Sequence, residues 1–433
     1  CRLAGVIVEF TPTVYLPQRT GSLGVFSQLG ISPSAYASSF VLCQGVLREK
    51  EMPVSDSTLL TYEPYFNLCA YAIALPEGAS VLSDPHYRTP QLQRRTAEVY
   101  HAKADERFMR LLRTFPDALR LISRRVEASY VLARTWINSL PTGNCFILSD
   151  EMVRFGLRRM LLTDVFDPLV ADVTDPRCRS CGDYWFDEHY LWCPNNGRSR
   201  TLGHTAINRA ICSAIKHPTS ADATVPGFVS CSRGPNYEVH LERVECGNMQ
   251  HDMLIFPQPS NRLDRIVIDV MVKALDPRII NEPYPTEDQV QIAMTEDATR
   301  APTPADFFFE DHSSEAACQE VLFLRARNRL LRERVIKPTL SEGEKSKTRK
   351  FQQKFTEPND ETTTRFVPFV LTAGGALSSS ASDFLRQAME DSGSPTRISE
   401  KIQFRNFIRR RLSTLLLRRA YYSSINVSRT RCD

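Results

Sequence analysis

The stretch Ile266-Val267-Ile268-Asp269-Val270-Met271-Val272 is apolar on both faces of any strand it forms, except for one acid. A strand of that kind is buried on both sides, where an unpaired carboxylate is costly. Asp269 must therefore sit at a strand end or beside a charge partner, and a metal site or a salt bridge to Arg would each satisfy it. Upstream, Asp252 precedes Met253-Leu254-Ile255-Phe256, which reads as the preceding hairpin strand, and Tyr237 to Val244 reads as a third strand flanked by Glu238 and Glu242. Acid, hairpin, acid is an arrangement that can hold Mg²⁺ for phosphodiester hydrolysis, with a cation near the attacking water. Lys273 lies on the face of Asp269 but roughly 13 Å further along the strand. Lys350 and Lys354, in RKFQQKF, are the alternative cations if that polar run folds back over the sheet. A further apolar strand, RFVPFVLTA, comes after it.

A second pattern lies ahead of the strands. Cys178-x2-Cys181-x7-His189-x3-Cys193 offers three thiolates and an imidazole, a set suited to a closed, tetrahedral, structural zinc site. Buried thiols without metal are the alternative. Directly after it, Ile207, Ala210, Ile211, Ala214 and Ile215 recur at helical spacing, predicting an amphipathic helix that packs on the zinc module. His204 stands near its start, as a cap or core residue or, with Arg198 and Arg200, lining a phosphate track at the helix N-terminus.

The rest of the chain frames these two sites. With 433 residues, 42% hydrophobic and 24% charged, it is too long for one typical domain and too apolar for wholesale disorder. No apolar run reaches the roughly 18 residues of a spanning helix. The chain opens with Cys1 and shows no signal stretch, which fits a piece of a longer, soluble, intracellular protein. Phe108, Leu111, Leu112, Phe115, Leu119 and Ile122 predict a helical platform, and Ser149-Asp150 caps a second amphipathic stretch. From Asn281 to Glu315 there are nine acids against Arg300 alone, so 276–316 reads as an acidic loop or insertion. From Lys401 onward the balance reverses to nine Lys/Arg against one acid. There Phe404, Phe407, Ile408, Leu412, Leu415 and Leu416 mark one face of a helix, with Arg405, Arg409, Arg410, Arg418 and Arg419 on the other, either a solvated face or a DNA-contacting one.

In order, these segments resemble the C-terminal part of a non-LTR retrotransposon polyprotein that carries a restriction-like endonuclease behind its reverse transcriptase. LPQRTGSLG (16–24), TWINSLP (135–141), CRSCGDYWFDEHYLWCP, EVHLERVECGNMQHDMLIF, RIVIDVMV and RFVPFVLTAGGALSSSASDFL carry the resemblance, which spans essentially the whole chain. It implies an α+β multi-domain protein: a helical connector over 1–170, a CCHC zinc module over 171–220, a PD-(D/E)xK-like mixed-sheet nuclease over 221–400, and a basic helix and tail over 401–433. In that frame Asp252 and Asp269 hold catalytic Mg²⁺ or Mn²⁺, Glu238 assists, Lys350 or Lys354 supplies the cation, and Zn²⁺ is structural. Arg198, Arg200, His204, Arg409 and Arg410 would meet nucleic acid. Target DNA and the element's RNA would be the partners, with no membrane involved and the nucleus as the place of work. The chain departs from the family in four places. His251 stands where Pro is usual, and sixteen residues separate the two Asp, with Asp264 a rival second acid. Gly203-His204 replaces Arg-His, and Gly21-Ser22 replaces a paired Gly. No Tyr/Phe-x-Asp-Asp turn of a polymerase is present. The alternative is a catalytically inactive, zinc-containing nucleic-acid-binding remnant.

Overall fold

The computed structural model describes residues 22–23, 50, 92–115, 118–139, 146–162, 181, 189–191, 193–216, 237–246, 249–257, 264–275, 280, 284–298, 315–354, 363–391 and 398–429. The LPQRTGSLG segment, Cys178 and the part of the acidic segment between 299 and 314 lie outside the described residues. So do the side chains of Arg198 and Glu242.

Among the described residues four helices come first: α1 (Leu92–Leu112), α2 (Ala118–Ala128), α3 (Val131–Arg134) and α4 (Asp150–Met160). A 3-10 turn, His189–Leu191, leads to α5 (Gly197–Lys216) and the strands β1 (Glu238–Cys246), β2 (Met249–Phe256) and β3 (Asp264–Lys273). Then come α6 (Glu287–Ala298), α7 (Glu315–Val335), α8 (Lys337–Lys354), β4 (Thr363–Thr372), α9 (Ser379–Glu390) and α10 (Ile398–Arg429). The fold is α+β, with a small mixed sheet in the order β1-β2-β3-β4. β1, β2 and β3 form an antiparallel meander, and β4 joins β3 in parallel from Asp264↔Thr363 to Lys273↔Thr372. Among the described residues no helix is long and apolar enough to cross a membrane.

The chain divides into two compact units that interleave in sequence. One takes in Ser123–Ile280 and Val335–Asp433, and the other includes Asn281–Arg334 and most of the chain before Ser123. In the first unit, one sheet face presents Met253, Ile255, Ile266, Ile268, Val270, Val367, Phe369 and Leu371 to Ile207, Ile211 and Ile215 of α5, Phe384 of α9 and Ile408 and Leu412 of α10. All are buried, which is the hydrophobic term that holds the layers together. The amphipathic stripe read for α5 is thus its core face, as is the apolar face read for α10.

The opposite sheet face is covered by α8, a segment the sequence presents only as a polar run. Its sheet-facing positions are Gly343, Lys347 and Phe351, four residues apart as a helix face requires. A Cβ on Gly343 would come within 2.7 Å of Val370 Cγ1, so the missing side chain is what lets α8 lie close to the sheet. Phe351 stacks on Phe366 of β4 with centroids 4.3 Å apart.

Part of 276–316, read as an acidic loop or insertion, is helical in the second unit. It contains α6, whose Val290, Ala293 and Met294 are buried with Ala326 of α7. Thr286 and Gln289 form a reciprocal cap: the Thr286 N–H donates to Gln289 Oε1 at 2.9 Å, and the Gln289 N–H to Thr286 Oγ1 at 3.4 Å. That capping box starts the helix despite the surrounding prolines and acids. In the same unit Arg327, 1% exposed, is held by Asp105 at 2.6 Å and by Glu106.

Candidate functional site

The β2–β3 ladder runs from Ile255↔Ile266 to Met253↔Ile268. One step further the backbone groups of Val270 are met by side chains. The Val270 N–H donates to Asp252 Oδ2 at 2.6 Å, and His204 Nε2 lies 3.1 Å from the Val270 carbonyl. His204 Nε2 is also 3.2 Å from Asp252 Oδ2. Both its partners accept, so Nε2 carries the proton. The strands part here, and the carboxylates of Asp252 and Asp269 come together in the opening, near enough that each shifts the titration of the other.

The cation at Asp269 is Lys347, whose Nζ pairs with Asp269 Oδ1. It comes from the sheet-facing side of α8. Lys350 and Lys354 are on the same helix but exposed, and the structure does not bring them to the acids. Their segment does fold back over the sheet, but Lys347 is the residue in phase with Gly343 and Phe351. Lys273 pairs with Glu342 at 2.5 Å. Glu238 stands opposite Phe256, four residues from the Asp252 row, which puts it roughly 13 Å along the strand. Its carboxylate contacts His240 at 2.9 Å, so it is not part of the acidic pair. Asp264 is exposed at the outer end of β3.

Burial shapes the electrostatics. Asp269, 8% exposed, has its carboxyl pushed up to about 6, first by desolvation and also by the neighbouring Asp252, against the pull of Lys347. Burial also works against Asp252, but hydrogen bonds from His204 and the Val270 N–H, with the His204 charge, hold it below the usual carboxylate range. The Asp252 hydrogen bond raises His204 against its own desolvation. Two adjacent carboxylates whose titrations are driven apart form a site that a divalent cation would satisfy, since it lets both ionise. Their hard oxygen donors match Mg²⁺ or Mn²⁺.

The second cluster is Cys181, His189 and Cys193, whose ligand atoms all lie within 4.8 Å of one another and which could hold a metal ion. His189 Nε2 is 3.1 Å from Cys181 Sγ, and the Cys193 N–H donates to the His189 carbonyl at 2.7 Å, closing the turn that aims both side chains inward. His189 and Cys193 are fully buried. Two sulfurs and an imidazole at such separations fit zinc, which takes S and N ligands at about 2.0–2.3 Å. Asn196 ties this turn to two helices. Its Nδ2 donates to the Tyr190 carbonyl at 2.9 Å and to that of Ser423 on α10 at 3.1 Å, and its carbonyl accepts from the Arg200 N–H at the start of α5. The metal cluster therefore anchors the helix that carries His204.

Of the other expected nucleic-acid residues, Arg200 donates to the Pro194 carbonyl at 2.8 Å. Arg410 lies over the Phe146 ring at 4.9 Å. Arg409 is half-buried, its guanidinium lowered by desolvation and then by Arg405. No protein-family model matches this chain, and no curated protein does.

Proposed function

We propose that this chain is a divalent-metal-dependent DNA endonuclease of the PD-(D/E)xK type, the nicking module of a retrotransposon polyprotein. The observation that carries the reading is the meeting of Asp252, Asp269 and Lys347 where two strands of a mixed sheet part. Asp252 and Asp269 would hold the ion, which supplies Lewis acidity at the phosphoryl oxygens when bound. Lys347 then orients the attacking water and offsets the charge developing at phosphorus. Water adds to phosphorus, the bond to the 3′ oxygen breaks, and the nick exposes a 3′ hydroxyl able to prime reverse transcription of element RNA by the polymerase part. His204 keeps Asp252 ionised and fixed. Zinc, with Cys178 as the fourth ligand, would serve as the structural ion. Work on chromosomal DNA puts the protein in the nucleus.

The direct test is plasmid nicking with Mg²⁺ or Mn²⁺, comparing wild type with Asp252→Asn, Asp269→Asn and Lys347→Ala. The reading requires nicking by wild type and its loss in both Asp variants at unchanged zinc content. A binding remnant without catalysis is the second reading, favoured by the desolvated arginines of α10, where the charges pressing on Arg409 and Arg411 are other arginines. Salt-sensitive DNA binding by a wild type that does not nick would select it.

A further inference from the structure

Arg419 of α10 is 8% exposed, yet its Nε and Nη1 are buried without a hydrogen-bond partner. The charge pressing on it is another cation, Arg200, and burial first, then that repulsion, lowers its guanidinium to about 10. Buried guanidinium nitrogens left without an acceptor are costly unless a counter-charge arrives, and Nε and Nη1 of Arg419 are two such atoms. The chain has made room for it. The Arg419 stem crosses α5 at Gly203, where a Cβ would meet Arg419 Cδ at 2.5 Å and Cγ at 2.6 Å.

The surroundings specify the chemistry of the missing partner. Arg200 and Arg419 are two guanidinium forks on different helices, which suits a tetrahedral oxyanion better than a single carboxylate. Arg200 lies in the first turn of the 20-residue helix α5, and the Arg419 stem crosses that helix at Gly203 in its second turn, near the N-terminal N–H groups and dipole end that favour an anion. Arg200 is four residues before His204, hence on the same face and about 6 Å along the axis from the residue that touches Asp252.

We propose that Arg419 and Arg200 form a phosphate-binding site that grips a backbone phosphate of the DNA strand beside the one lying at Asp252 and Asp269. The identity of that strand rests on the nuclease reading, while the affinity for a phosphodiester does not. Arg419 is a binding residue here, its side chain threaded past Gly203 to reach the strand. A strand so held is registered against the acids by the same helix that carries His204.

The test is binding of a short labelled DNA duplex to the full 433-residue chain in EDTA, by fluorescence anisotropy across a salt series. Losing one phosphate contact lowers the slope of log K against log salt by about 0.9. Arg200→Ala and Arg419→Met should each show that drop, with binding about tenfold weaker near 0.1 M salt, and the double variant should fall no further because both hold one phosphate. Arg386→Ala, an exposed arginine of α9 paired with Asp383 at 3.0 Å, should keep the wild-type slope. An unchanged slope in Arg200→Ala overturns the proposal, and so does a drop of equal size in Arg386→Ala. If Arg419→Met does not fold, Arg200→Ala decides alone. A slope drop in Arg200→Ala, in a protein whose wild type never nicks, keeps this site and removes the nuclease reading. Nicking with an unchanged slope does the reverse.

Discussion

The two candidate ion sites of this chain are assembled in opposite ways. The thiol–imidazole cluster is local: Cys181, His189 and Cys193 fall within one short segment, and a turn closed by a single backbone hydrogen bond aims two of them. The acidic site draws His204, Asp252, Asp269 and Lys347 from one helix, two strands and a distant second helix. A local site needs only the right residues at the right spacing. The dispersed one needs the sheet to open at one point and a helix to pass within reach of it. The first should therefore fail through folding and the second through chemistry.

The largest effect should come from removing the local site. Cys193→Ser, or a strong chelator, takes away binding energy on the order of 10 kcal/mol if zinc is the ion. Zinc content should fall, the melt of the unit that contains the sheet should broaden or vanish, and nicking should go with it. A chelated protein that melts and nicks normally would show that the cluster holds no ion.

Next is Asp269→Asn, which should cut nicking by about 10²–10³ or more while leaving zinc in place. Unlike the first variant it should raise the metal-free melting temperature. The folded state holds the Asp269 proton up to about 6, above the ordinary 3.8, so this group destabilises the fold as pH rises through that interval. His204 acts in the same direction, since its raised value contributes stability that is lost as pH climbs through it. The metal-free wild type should therefore melt at lower temperature near pH 6 than near pH 4, roughly, and Asp269→Asn should flatten most of that slope, while the His204 part lies above about pH 6.5. A wild type that grows steadily more stable from acid to neutral pH contradicts the electrostatics described here.

Lys347→Ala sharpens the comparison at one position, with an expected loss of about 10²-fold in nicking at saturating metal. Lys350→Ala and Lys354→Ala should stay within about twofold, being solvated on the same helix. If either of these matches Lys347→Ala, the helix sits differently on the sheet. The smallest effect belongs to the other compact unit: Thr286→Ala should cost about 1 kcal/mol of stability through its lost cap and leave nicking intact.

The same contrast governs what could be read from the sequence. The strands around Met253 and Ile266 were legible because burial on two faces leaves an uninterrupted apolar run. α5 and α10 were legible because each shows a broad apolar stripe at helical spacing. α8 was not: its sheet-facing positions are Gly343, Lys347 and Phe351, so the helix that supplies the cation has almost no apolar signature. Lys350 and Lys354 sit beside Phe351 in the sequence, while Lys347 is one turn away, and only the helical phase distinguishes them. α6 was hidden by its composition, though Thr286-x-x-Gln289 was a cap signal in plain view. The resemblance made Glu238 a helper; its register, opposite Phe256, could not be known before pairing was.

The substitution of side chains for ladder bonds at Val270 has an evolutionary consequence. Asp252 accepts a backbone N–H that has no strand partner, and losing it would leave that donor unsatisfied at a cost of about 1–3 kcal/mol. Selection for a stable fold therefore protects Asp252 independently of any selection for cutting. A lineage that abandoned cleavage would shed Asp269 or Lys347 first and keep Asp252 longest.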